Sequence, residues 1–219
     1  MKVNVKDGIE PSATTSLPDW NEKYGGLVRP DKATIADIFE GSGVISGRQV
    51  PMSPVAQAWS GGTIMAVSAG EVSLNATPPP TGAPAVLTNT ANGQCGVLVK
   101  YDATDNGYAG VVARWTNSST ERVVAIVGEG NLYLQEKSAA GATTRAASAP
   151  LDIANGDTVA IRLVAEGGTL TAYAGDVSVS LTGSIVNLGG DQCGMYFQAR
   201  STDAVAPLHK IIQFVAGTV

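Results

Sequence analysis

Charge is scarce in this 219-residue chain: Asp, Glu, Lys and Arg together make up 15% of it, against roughly 25% in an average soluble domain. With a hydrophobic fraction of 44%, that scarcity excludes a disordered polyelectrolyte and implies a packed core. Basic excess is missing too. The formal net charge is −5, so no phosphate-tracking surface is available and nucleic acid is not expected as a partner. No run approaches the eighteen or so apolar residues of a membrane span, and the start, Met1-Lys-Val-Asn-Val-Lys-Asp7, has charges where a signal peptide needs its apolar stretch. The expectation is a soluble chain made in a reducing cytosol, with no membrane partner. Two cysteines, Cys95 and Cys193, and one histidine, His209, are no disulfide framework and lack zinc-site spacing. Neither a metal nor a cofactor is expected.

Turn residues are plentiful, with 26 Gly and 11 Pro, which fits many short strands. In 157–165, Val159, Ile161 and Leu163 alternate with Thr158, Ala160 and Arg162, the period of a half-buried strand. Leu170, Ala172 and Ala174 repeat the pattern after Gly167-Gly168, as do Val177, Val179 and Leu181 after Gly175-Asp176, so three strands form a meander. Similar segments run through 96–101, 108–115, 121–127, 131–137, 194–200 and 209–215. The run Asn75–Ala85, with Pro78-Pro79-Pro80, reads as a loop. Residues 31–40 are open to two readings, a helix with Ile35, Ile38 and Phe39 on one face or a strand.

The first 40 residues hold twelve charged groups together with Pro11, Pro18 and Pro30, and show no sustained period. Residues 1–34 therefore read as an N-terminal arm, with Leu17, Trp20, Tyr24 and Leu27 as candidate anchors for a partner surface. A tail folded onto its own domain is the alternative. Residues 35–219 form the domain.

Alternation assigns Val159, Ile161, Leu163, Leu170, Val177, Val179, Leu132, Leu134, Met195 and Phe197 to the core. It leaves Tyr108, Arg114, Tyr133, Lys137, Arg162, Tyr173, Tyr196, Gln198 and Arg200 pointing outward. Tyr and Arg with few carboxylates is the composition of protein interfaces, and Tyr faces also stack on sugar rings. This set is a candidate interface or glycan face, with ordinary solvated strand faces as the third reading.

The segment Phe39-Glu-Gly41-Ser-Gly43-Val-Ile-Ser-Gly47-Arg48, then Pro51, Trp59 and Gly70-Glu-Val72, opens an ordered series. Cys95-Gly96-Val-Leu-Val-Lys-Tyr101-Asp102 follows, then Asn106-Gly-Tyr108, Val111-Val112-Ala-Arg114, Leu170-Thr-Ala-Tyr173 and Gly194-Met-Tyr196. In spacing and turn pattern the series, over 35–217, resembles the concanavalin A-like (laminin-G-like) jelly-roll domains of tailed-phage virion proteins. The resemblance implies an all-β, two-sheet antiparallel sandwich with the N-terminal arm extended from it. It also implies an opening strand at Asp37-Ile-Phe39, which favours the strand reading there, and a concave face that some relatives use for glycans. The family often has an Asp before its last core aromatic; here Ile211-Ile212-Gln213-Phe214 lacks it, and any role of that Asp is not transferable.

Hydrolases of this fold, such as the family 16 glycoside hydrolases, carry clustered carboxylates on one strand. No Glu-x-Asp-x-x-Glu string and no Gly-x-Ser-x-Gly elbow is present, so no catalytic residues and no enzymatic activity are expected. Asp102, Asp105 and Asn106 crowd one loop and fit either a calcium site or, more simply, an Asx-turn. The expected function is a non-enzymatic structural protein of a tailed-phage virion, a capsid decoration or head-fibre subunit assembled in the host cytoplasm. It would be attached to other virion proteins by its arm and be homo-oligomeric, with a trimer favoured. The alternatives are a tail or baseplate protein, or a carbohydrate-binding module for a host glycan.

Overall fold

A computed structural model describes residues 33–76, 82–89, 93–105, 107–115, 121–138, 144–184, 190–200 and 207–219. Every regular element in them is a strand: β1 Ala33–Asp37, β2 Gly43–Val44, β3 Ser60–Gly61, β4 Met65–Ser68, β5 Glu71–Leu74, β6 Ala83–Thr88, β7 Gly93–Lys100, β8 Tyr108–Trp115, β9 Arg122–Gly128, β10 Asn131–Lys137, β11 Thr144–Pro150, β12 Thr158–Glu166, β13 Thr169–Ala174, β14 Val177–Thr182, β15 Gln192–Gln198 and β16 Lys210–Thr218. They form two antiparallel sheets packed face to face. A nine-stranded sheet runs β14-β13-β12-β7-β16-β5-β4-β2, with β1 also pairing β16; a seven-stranded sheet runs β11-β10-β9-β8-β15-β6-β3. The expected all-β two-sheet sandwich is the observed one. Residues 33–37 are a strand, not a helix, because Ala33–Asp37 pairs with Phe214–Gly217 at the sheet's centre. The candidate arm anchors Leu17, Trp20, Tyr24 and Leu27 lie outside the described residues.

The period-2 patterns become two inner faces. Ile161, Leu163, Leu170, Leu132, Leu134, Met195 and Phe197 are buried between the sheets, joined by Phe39, Trp59, Val97, Ile211 and Phe214. Val159, Val177 and Val179 also face inward but are only partly buried; β14, an edge strand, has no neighbour on one side. Trp59 stacks edge-on against Phe214 with centroids 5.0 Å apart. Its indole N–H donates to the buried Asp37 carboxylate at 2.9 Å, which also accepts from Phe39 N at 2.8 Å and from Arg48 at 3.2 Å. Cys95 on β7 and Cys193 on β15 are buried, free thiols on opposing sheets. The hydrogen bond between them, followed by burial, pushes the Cys95 thiol well up.

Candidate functional site

The outer face of the seven-stranded sheet collects aromatic side chains because register aligns them. Tyr133 on β10 pairs with Ile126 on β9, Ile126 pairs with Gly110 on β8, and Gly110 pairs with Tyr196 on β15. Val86, Val112, Val124, Ile126 and Tyr196 make a second apolar cluster here, flanked by the partly buried Tyr108, Trp115 and Tyr133. Tyr196 is 1% exposed, and the Arg122 guanidinium lies 5.7 Å from its ring centroid.

At one end of this face the side chains are open to solvent. Tyr108 and Tyr133 meet edge to face with centroids 5.6 Å apart. The Tyr108 hydroxyl donates to Glu129 Oε2 at 3.1 Å, and the Tyr133 hydroxyl stands 3.5 Å from the same oxygen. Arg200 Nη1 holds the other carboxylate oxygen, Oε1, at 2.9 Å. Burial, with the Glu129 carboxylate next in weight, pushes the Tyr108 phenol up to about 12 and moves Tyr133 in the same direction. Both therefore stay hydrogen-bond donors at neutral pH. Gln198, on the neighbouring β15, pairs with Tyr108.

Glu129 gets there by a strained route. It and Gly130 form the two-residue turn between β9 and β10, with φ of 51° and 69°, the conformation such hairpins require and one that a glutamate adopts at a cost. Gly128 is equally specific, since a Cβ there would come within 2.3 Å of the Tyr108 ring.

Behind the site lies a buried polar cluster. Asp105 accepts from Gly107 N at 2.8 Å and from the backbone N–H of Leu208 and His209. His209 accepts the Asp102 N–H at Nδ1, 3.0 Å, so it is Nε2 that donates to Gly107 O at 3.2 Å. Those partners assign a neutral imidazole, and burial lowers its pKa. Tyr101 stacks on His209 at 5.1 Å, and its hydroxyl accepts the Gly130 N–H at 2.8 Å. One buried cluster thus fixes the backbone on both sides of the site, at Gly107 before Tyr108 and at Gly130 after Glu129. Asp102 caps its own loop, accepting from Thr104 N at 2.9 Å and Thr104 Oγ1 at 2.6 Å; that is the Asx-turn reading of the loop. Asn106 lies outside the described residues.

The outward set does not form one surface. Tyr108, Tyr133, Gln198 and Arg200 come together on the seven-stranded sheet. Arg162 and Tyr173 sit on the nine-stranded sheet, guanidinium over ring at 4.2 Å, and cannot share a site with them. One residue corrects the alternation. Arg114 is 2% exposed because a bulge opposite Gln192–Gly194 and a φ of 52° turn it away from the outer face. It donates instead to Gly167 O and Ser184 Oγ, and Ser184 Oγ donates to the buried Glu136. Tyr196 does face outward but is covered. Glu129 is the residue that period-2 reasoning missed, since a turn has no face; the available signal was a Glu where a tight hairpin prefers Gly, Asn or Asp.

No protein-family model matches the chain, and no curated protein matches it in sequence. Solved structures do match in fold. A β-glucanase from Bacillus licheniformis superposes with a TM-score of 0.58 at 11% identity, covering 86% of this chain and 98% of that one. A LamA variant from Z. galactanivorans, in complex with laminaritriose and laminaritetraose, gives a TM-score of 0.56 at 9% identity, covering 86% and 99%. LamAcat from Zobellia galactanivorans gives 0.56 at 9%, covering 86% and 98%. At these identities the likeness is one of fold, and the fold is the concanavalin A-like jelly roll. These matches overturn the expectation of a non-enzymatic virion structural protein of a tailed phage, because the structures followed over most of the chain are β-glucanase and LamA domains. The missing Glu-x-Asp-x-x-Glu string is no ground for excluding catalysis: carboxylates are brought together by tertiary structure, as Glu129 shows by reaching its site from a turn.

Proposed function

We propose that this domain recognises carbohydrate at the exposed end of the seven-stranded sheet's outer face. The observation that carries the reading is the Tyr108–Tyr133 pair sharing one carboxylate, Glu129, that is itself held by Arg200. Tyrosine rings offer apolar faces to the C–H side of a sugar ring, while the carboxylate and guanidinium present charged acceptors and donors to its hydroxyls. Such bonds are stronger than neutral ones, and a pre-oriented set loses little entropy on binding. The fold matches support this reading, since one of the matched proteins was solved with laminaritriose and laminaritetraose.

A second reading, hydrolysis at the same place, is favoured by the β-glucanase match. It requires a second carboxyl group about 5–9.5 Å from the first, on the other side of the scissile bond. One experiment serves both. Affinity electrophoresis and calorimetry with soluble glucans, fructans and acidic polysaccharides measure binding, and reducing-end release measures turnover. Binding that is weakened by Glu129→Gln and by Tyr133→Ser supports recognition. Absence of retardation by every glycan, or binding indifferent to both substitutions, sinks it.

A further inference from the structure

Among the described residues the two strand orders end at β2, β14, β3 and β11, β1 is bridged on its second side by Met52, and β14 is the least protected of these edges. The edge strands β2 and β3 are two residues long. The edge strand β11 carries Arg145 and ends at Pro150, and both charge and proline discourage pairing with another chain. The edge strand β14, Val177-Ser-Val-Ser-Leu-Thr182, has neither in its own sequence, and Arg145 of β11 reaches only the carbonyls at its C-terminal end, Thr182 O and Gly183 O. The hairpin of β14 with β13 closes at Ala174/Val177, so the N–H and C=O groups of Val177, Val179 and Leu181 bond inward to β13. Those of Ser178 and Ser180 point away from the sheet. Ser178 and Ser180 are exposed, and Val177, Val179 and Leu181 are only partly buried although they face the core.

We propose that β14 is a homodimer interface, pairing antiparallel with β14 of a second copy about a two-fold axis through Val179. Because faces alternate, inward residues must meet inward residues. Antiparallel registers centred on Ser178, Val179 or Ser180 all set inward residues opposite inward residues, but only the one centred on Val179 gives each of Val177, Val179 and Leu181 an apolar partner. With Val179 opposite Val179 of the second copy, Val177 meets Leu181 and Ser178 meets Ser180, so the apolar row continues on the inner face and the hydroxyl row on the outer. Each Ser178/Ser180 pair exchanges both of its N–H···O bonds. The same register sets the exposed Asp176 of one copy opposite Thr182 of the other. There Arg145 already lies, ion-paired with Glu136 at 3.3 Å and donating to Thr182 O at 2.7 Å and Gly183 O at 2.6 Å, so the ladder stops at Leu181 and the Asp176 carboxylate comes up beside that guanidinium at both ends. This is an isologous contact that closes at two copies and joins the nine-stranded sheets into one. It departs from the expected trimer and does not depend on the carbohydrate reading.

The test combines sedimentation velocity with disulfide trapping. The wild-type chain sediments as a dimer at micromolar concentration. Ser180→Pro removes an N–H that faces away from the sheet, a position where an edge strand tolerates proline, and shifts the protein to monomer with an unchanged circular dichroism spectrum. Val179→Cys places two thiols on the axis, at a non-hydrogen-bonded pair with Cα atoms about 4.5 Å apart. Treated with a small disulfide oxidant it gives a covalent dimer on a non-reducing gel, whereas Val177→Cys does not; Cys95 and Cys193 are buried in both. A monomeric or trimeric wild type overturns the proposal. So does a dimer that survives Ser180→Pro, or a Val179→Cys chain that fails to cross-link. If Ser180→Pro does not fold, the contrast between the two cysteine variants decides.

Discussion

Glu129 joins strain and function in a single residue. Its φ of 51° costs a non-glycine residue about 1–2 kcal/mol, and its ion pair with Arg200, whose side chain is 53% exposed, returns at most about 1 kcal/mol. Glycine accepts this backbone freely. Glu129→Gly is therefore expected to leave the melting temperature unchanged or raise it while weakening glycan binding about tenfold or more, the scale of a lost charge-assisted bond. Calorimetry and thermal denaturation on the same preparation check this, and a lowered melting temperature with intact binding would contradict it. Gly128→Ala is the companion case. Its new methyl meets the Tyr108 ring, so affinity should fall although no ligand contact is removed. Alternation along β8 and β10 makes Tyr108 and Tyr133 legible as outward residues. It misplaces Arg114, because a one-residue bulge reverses the face of everything beyond it.

Two features lie at the scale of elements. The loop before β8 and the start of β16 are joined by Asp105 and His209, and the imidazole is buried neutral. Its folded pKa lies below the ordinary value near 6.5, so below about pH 6.5 the unfolded chain binds the proton more readily and stability falls with falling pH; above it the contribution is complete. The urea midpoint is expected to drop between pH 7.5 and 5.5, and the drop to shrink in His209→Gln, whatever that variant's absolute stability. An equal drop in both proteins would rule out His209 as the cause. The second feature is the thiol pair between β7 and β15. With Cys95 buried and its pKa raised, native protein at pH 8 should take up no iodoacetamide, and protein unfolded without reductant should take up two labels by intact mass. No label after unfolding would mean that a bridge had formed, since a disulfide consumes both thiols. Both cysteines sit in a Gln-Cys-Gly run, and they face each other from opposite sheets.

The whole molecule rests on one layer of side chains between two sheets, so damage at its centre is costly. Phe214 is fully buried and packs edge-on against Trp59. Phe214→Ala should lose about 3–5 kcal/mol, the range for an aromatic removed from a core, read as a shift of the urea midpoint. Val177→Ala on the half-covered edge strand should cost much less. Equal costs would mean that the centre and the edge of the sandwich are packed alike.

Period-2 patterning and turn residues by themselves determined the strand content, the meander of β12, β13 and β14, and the inner faces of both sheets, because those signals are local and a strand has only two faces. They left residues 31–40 open between helix and strand, a choice made by the ladder between β1 and a segment almost two hundred residues away. The candidate site shows the same boundary. Tyr108, Tyr133, Gln198 and Arg200 were visible as outward residues, as were Arg162 and Tyr173. Only sheet order put the first four beside Glu129 and the last two on the opposite side of the molecule. Alternation tells a side chain which way to point along its own strand, but long-range hydrogen bonding decides which strands lie next to each other, and hence which side chains meet.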